Sequence, residues 1–257
     1  MTDLDNDFLI TTENDVRPVS LDERLYTKPT PAPSKSRDFE ETLTIQKTAI
    51  KKKMKNIGSI KNICVYCGSS PGANPVYIEA AKTFGAKLAQ SGVGLVYGGG
   101  GIGIMGAVAR AVLSGGGHVT GIIPDFLLAK EGDFREVSEQ HVVPDMHKRK
   151  MMMFERADAF VALPGGVGTL EEIIEVMTWA QLGRHGKPIV FANINGFWDP
   201  LLQLLDHMRA QGFIRPDMPV AYKVANTVDD ILNKVCDDCF PYPPADLHKE
   251  ELIKKRF

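Results

Sequence analysis

Cysteine is scarce in this chain: four residues in 257, arranged as the pairs Cys64/Cys67 and Cys236/Cys239. Two Cys-x-x-Cys pairs raise the question of a split zinc site. The segment Ile63-Cys64-Val65-Tyr66-Cys67 reads as a strand, however, and residues three apart on a strand point to opposite faces. Cys64 and Cys67 therefore make poor partners on one metal. Cys236 and Cys239 can meet on a helical turn, but they stand beside a Pro-rich tail with no histidine cluster. Structural cysteines and no metal are the expectation. An excess of either charge is also missing: 30 Lys and Arg stand against 32 Asp and Glu, for a net charge of -2. That balance provides no basic field to gather nucleic acid or an anionic membrane, while leaving room for a small anionic ligand. No apolar run is long enough to span a bilayer, and Met1-Thr2-Asp3-Leu4-Asp5 lacks the basic-then-apolar pattern of a secretory leader. A cytoplasmic protein with neither nucleic acid nor membrane as partner is expected.

Residues 1–57 mix acidic, basic, Pro and Ser residues without sustained periodicity and read as a flexible extension, in which 38–56 has helical potential. The run Lys51-Lys52-Lys53 reads as a solvated face. From Lys61 short β-branched runs alternate with helical segments, the pattern of stacked βαβ units around a parallel sheet. Strands are expected at 62–67, 93–97, 118–123, 139–143, 158–163 and 188–193, with a short one at 221–224. A helix is expected over 75–90, with Pro75 in its first turn, Ala80, Ala81, Phe84 and Leu88 on one face, and Gly92 closing it. The fold class is α/β: one Rossmann-like, doubly wound, mostly parallel sheet flanked by helices, as a single domain over 58–240, followed by a Pro-rich, charged tail over 241–257.

In such sheets ligands gather at the carboxyl ends of the strands, and three of those ends carry glycine-rich loops. The first is Gly68-Ser69-Ser70. The second, Gly98-Gly99-Gly100-Gly101-Ile102-Gly103-Ile104-Met105-Gly106, reads as a phosphate cradle, because glycine lets backbone N–H groups approach an anion and a helix N-terminus adds positive potential. Gly101-x-Gly103-x-x-Gly106 also matches a dinucleotide fingerprint, with Asp125 at about the expected distance. Against that reading, this is the second strand-to-helix turn of the domain and Asp125 follows a proline. The third loop is Leu163-Pro164-Gly165-Gly166-Val167-Gly168-Thr169-Leu170-Glu171-Glu172. Its glycines can present N–H groups to phosphate or sugar oxygens. Thr169 to Glu172 fits a capping box as well as it fits a ligand-facing acid, and spacing alone does not choose.

One strand earlier lies the basic segment Met146-His147-Lys148-Arg149-Lys150-Met151. Together with the glycine loops it resembles the Lonely Guy family of cytokinin riboside 5′-monophosphate phosphoribohydrolases, long mislabelled as lysine decarboxylases. The likeness covers about residues 60–235. The family pattern Pro-Gly-Gly-x-Gly-Thr-x-x-Glu is present in full as Pro164 to Glu172, and its Arg-Lys pair is Arg149-Lys150. Val167 stands where many relatives have tyrosine. The resemblance implies Arg149 and Glu172 as the catalytic pair. It implies substrate contacts from Glu131, Lys150, Gly166, Val167, Gly168, Thr169, Leu170, Glu171 and Thr178. Gly68, Ser69, Gly99, Gly100, Gly101, Gly103 and Gly165 remain the phosphate-loop candidates. It further implies a purine nucleoside 5′-monophosphate as substrate, no cofactor, and a homodimer with active sites near the interface.

Cleaving an N-glycosidic bond builds positive charge at C1′ and the ring oxygen, which a carboxylate such as Glu172 can stabilise while it also serves a water as general base. Arg149, permanently charged and bidentate, suits an orienting role better than proton transfer. Two other classes stay open from sequence: a nucleotide or cofactor carrier, which would not need the Arg149 and Glu172 pairing, and an NAD(P)-dependent oxidoreductase, which would need Asp125 on a ribose. Met151, Met152 and Met153 read first as core packing.

Overall fold

The computed structural model describes residues 60–128 and 136–237, so the expected extension, its helix at 38–56, Cys239, the tail and Glu131 lie outside the described residues. The apolar runs fold as predicted into seven strands, each within two residues of its expected bounds. They are β1 (Asn62–Tyr66), β2 (Gly94–Tyr97), β3 (Val119–Pro124), β4 (Glu139–Val143), β5 (Ala159–Ala162), β6 (Ile189–Ala192) and β7 (Lys223–Ala225). They form one sheet in the order β4-β3-β2-β1-β5-β6-β7, and every neighbouring pair among them is parallel.

A parallel sheet is covered on both faces, which is why its inner strands are apolar without alternation. Along β1 and the residue after it, Ile63, Val65 and Cys67 enter one core layer and Cys64 and Tyr66 the other. The split of Cys64 from Cys67 follows from the strand period, and among the described residues no group of three or more His, Cys, Asp or Glu is placed to hold a metal. The first layer is closed by α1 (Val76–Gln90), α2 (Gly103–Ser114) and α6 (Val228–Cys236); the second by α3 (Met146–Arg156), α4 (Val167–Gln181) and α5 (Asp199–Ala210). Pro75 occupies the cap position before α1 rather than its first turn, and the Asn74 side chain accepts the Val76 N–H at 3.0 Å. Gly92, at φ +66°, follows the end of that helix as expected and donates to the Ala89 carbonyl.

The chain runs outward from β1 through β2 and β3 to β4, then crosses back to β5 on the other side of β1. The carboxyl ends of β1 and β5 are therefore where the winding direction reverses, the place at which a crevice opens in such sheets. Two of the three glycine loops leave from these ends.

Candidate active site

Three loops are stitched together over this crevice. Gly68, just past β1, donates its N–H to the Pro164 carbonyl at 3.1 Å, and its own carbonyl accepts the Met105 N–H at 3.1 Å. Ser70 accepts the Ile104 N–H at 3.4 Å. The first-turn amides of α2 are thus spent on the β1 loop. Gly103, at φ +58°, lies so close to the Ser69 backbone that a Cβ would overlap it, and a Cβ on Gly106 would overlap the Gly101 carbonyl. Gly99, at φ +78°, is pressed against Ile122 and Ile123 of β3. At Gly103 and Gly106 these are close approaches of backbone to backbone, the general reason such positions exclude a side chain.

The crevice holds a cavity of about 280 Å³ lined by Gly68, Ser69, Gly98, Gly166 to Thr169, Glu171 and Glu172, with Arg149 and the thioethers of Met105, Met146 and Met153. Of the four-glycine run only Gly98 lines it. Of the expected cradle, Gly99 and Gly103 are close-packed, and none of Gly99, Gly100, Gly101 and Gly103 lines this cavity. Asp125 instead accepts the N–H of its own neighbour Phe126 at 2.6 Å. A larger hollow of about 700 Å³ lies between α1 and α2, and no carboxylate lines it.

The loop after β5 has the opposite character. An added Cβ on Gly166 or Gly168 would meet nothing within 4 Å, and Val167 is 83% exposed. Helix α4 begins at Val167 with Gly166 as its cap and no side-chain capping bond. Thr169 and Glu172 accordingly sit inside the helix as its third and sixth residues, so the capping box is not formed. The first amides of a helix have no intrahelical acceptor, and here that end opens on the cavity. Gly165 keeps space for Thr169, whose hydroxyl its Cβ would strike.

Glu172 and Arg149 are both buried, at 8% and 6% exposure. Asp145 caps α3 by accepting the Lys148 N–H at 2.8 Å, which fixes the turn from which Arg149 reaches under the sheet ends. Its Nε donates to the Ile122 carbonyl at 3.1 Å and its Nη2 to the Gly98 carbonyl at 2.9 Å. Nη1 lies 4.0 Å from Glu172 Oε1 and 3.8 Å from Met146 Sδ. Two main-chain carbonyls thus offset the desolvation of the guanidinium, and the pair with Glu172 keeps neither charge isolated. In the core layer that Cys64 and Tyr66 enter, burial first and then the Glu172 carboxylate push the Cys64 thiol well above its usual range; burial likewise raises Tyr66.

Lys150 does not line the cavity. Its ammonium pairs with Glu171 and with Glu175, the latter at 3.1 Å. Burial alone would lower its pKa, but these two acids outweigh it and hold the lysine above its ordinary value. Thr178 is also apart: it is exposed on α4 and its hydroxyl bonds back to the Ile174 carbonyl at 2.8 Å. Leu170 is half-buried in the α4 packing, outside the cavity lining. The Gly98 and Ile122 carbonyls and the side chain of Met105 are the lining or anchoring groups that sequence reasoning missed. Met151 is exposed, whereas Met153 is core and cavity wall at once.

A family model described as "possible lysine decarboxylase" matches residues 105–235. The chain is 51% identical over 156 residues to the cytokinin riboside 5′-monophosphate phosphoribohydrolase LOG7 of Arabidopsis thaliana, covering 61% of this chain and 72% of that one. Among solved structures, TM1055 is 25% identical with a TM-score of 0.54 over 67% of this chain and 96% of its own. A molybdenum cofactor binding protein from Rippkaea orientalis has the same fold at 20% identity, with a TM-score of 0.51 over 67% and 93% of the two chains. By its matched model, its identity to LOG7 and the Pro164 to Glu172 loop, the chain belongs to the LOG family of cytokinin riboside 5′-monophosphate phosphoribohydrolases.

Proposed function

We propose that this chain hydrolyses the N-glycosidic bond of purine nucleoside 5′-monophosphates, adenosine and N6-substituted adenosine monophosphates among them, to free base and ribose 5-phosphate. The observation that carries the proposal is the buried Arg149 and Glu172 pair in one cavity with the open amino end of α4. The 5′-phosphate binds at Gly166 to Thr169, where helix-end amides and the macrodipole favour an anion. That contact is remote from the bond that breaks, and it serves to hold C1′ against Glu172. As the C1′–N bond lengthens, Glu172 stabilises the growing positive charge and receives a proton from the attacking water. The hydroxyl adds to C1′, and the base leaves with the bonding pair and takes up a proton. Arg149 holds the carboxylate in register. Hydrolysis moves no electrons between partners, so the reaction calls for no redox cofactor.

The same proposal makes the active protein a homodimer acting in the cytoplasm. Thr178 lies nine residues beyond Thr169, about 13 Å along the helix, so a nucleotide contact from it would serve the cavity of a second copy. Val167 and Leu182, 83% and 61% exposed at the two ends of α4, offer such a copy apolar surface.

The test is a substrate panel read by base release. Adenosine 5′-monophosphate and its N6-isopentenyl derivative should turn over with kcat/KM at least about 10²-fold above the corresponding nucleosides, the share expected from remote phosphate binding. No release from any purine monophosphate would overturn the proposal, and binding without release would point to a carrier.

A further inference from the structure

Gly98 is the first residue of the glycine run and has no left-handed backbone, unlike Gly99 beside it. An alanine there costs nothing in φ. What a Cβ would meet is the Arg149 guanidinium: it would lie well inside contact distance of Nη2 and 3.1 Å from Cζ. The backbone around it leaves room, and the groups in the way are the end of the arginine and the Met105 thioether, both on flexible side chains. The Gly98 carbonyl also accepts from Nη2 at 2.9 Å. We infer that Gly98 is a positioning residue: its missing side chain and its carbonyl together define where the Arg149 guanidinium rests, and so how it meets Glu172. A methyl group at this position leaves the fold in place and displaces the guanidinium from Glu172.

The inference rests on the hydrolase reading for its effect on rate, and on geometry alone for its effect on Arg149. Lysine carries its charge about where the arginine Cζ lies, one atom short of the collision. Gly98→Ala should therefore lower kcat on adenosine 5′-monophosphate by about 10²-fold, the scale of a misplacement of about 1 Å, with KM little changed. In an Arg149→Lys background the same substitution should change kcat by less than about 3-fold, because the group it displaces is gone. Equal losses in both backgrounds, or full activity in Gly98→Ala, would overturn the inference. Should the unsubstituted protein release no base, the hydrolase reading fails and a second readout still decides. The Arg149 Nε–H, buried and bonded to Ile122, should give a slowly exchanging NMR resonance that Gly98→Ala abolishes; its persistence would show that Gly98 does not position the guanidinium.

Discussion

The glycine-rich loop that opens α2 and the one that opens α4 are built from the same residue type and end in different surroundings. At Gly103 and Gly106 the space a side chain would fill is occupied by other backbone and at Gly99 by Ile123, and the α2 amides behind them already donate to Gly68 and Ser70. At Gly166 and Gly168 the same space is empty, and the α4 amino end faces the cavity. One loop fixes the crevice and the other, on the proposed function, offers it to a ligand. Glycine content alone marks both as phosphate loops, so what separates them is the destination of their backbone hydrogen bonds.

The largest effect should come from the residue that the second loop delivers. Glu172→Gln keeps the shape of the side chain and removes its charge, so base release should fall about 10³-fold while calorimetric affinity for adenosine 5′-monophosphate stays within a few-fold. Undiminished turnover would remove Glu172 from the mechanism. Next comes the structural loop: Gly103→Ala must leave a left-handed φ and clear the Ser69 backbone, and should lower unfolding free energy by about 3 kcal/mol in a denaturant titration. A variant as stable as the parent would erase the distinction between the loops. The smallest effect falls on the open loop. Gly168→Ala lies in a helical first turn with free space, so stability should hold or rise by up to about 1 kcal/mol. Its methyl group stands over the helix-end amides, and KM for the monophosphate should rise about tenfold. A large loss of stability instead would mean that this loop is packed like the other.

The sheet was legible because both-face burial writes each strand as an apolar run, and because Pro75 and Gly92 bracket the helix between β1 and β2 at nearly the expected residues. Glu172 was legible as a residue but not as a role. Its spacing from Thr169 imitates a capping box, and only the start of α4 at Val167 shows that neither residue caps. Arg149 was identified by resemblance, yet its anchors are main-chain carbonyls of Gly98 and Ile122, which no side-chain pattern encodes. Lys150 was expected to contact the nucleotide; in the structure its ammonium is held by Glu171 and Glu175, a pairing that depends on how the successive helices α3 and α4 pack side by side.

The division of labour between the loops is tested most directly by where the phosphate lands. Titrating 15N-labelled Glu172→Gln protein, which binds without turnover, with adenosine 5′-monophosphate should shift the amide resonances of Gly166, Val167, Gly168 and Thr169 far more than those of Gly100, Gly101 and Gly103. The largest shifts at Gly100 to Gly103, with Gly166 to Thr169 unmoved, would contradict the account.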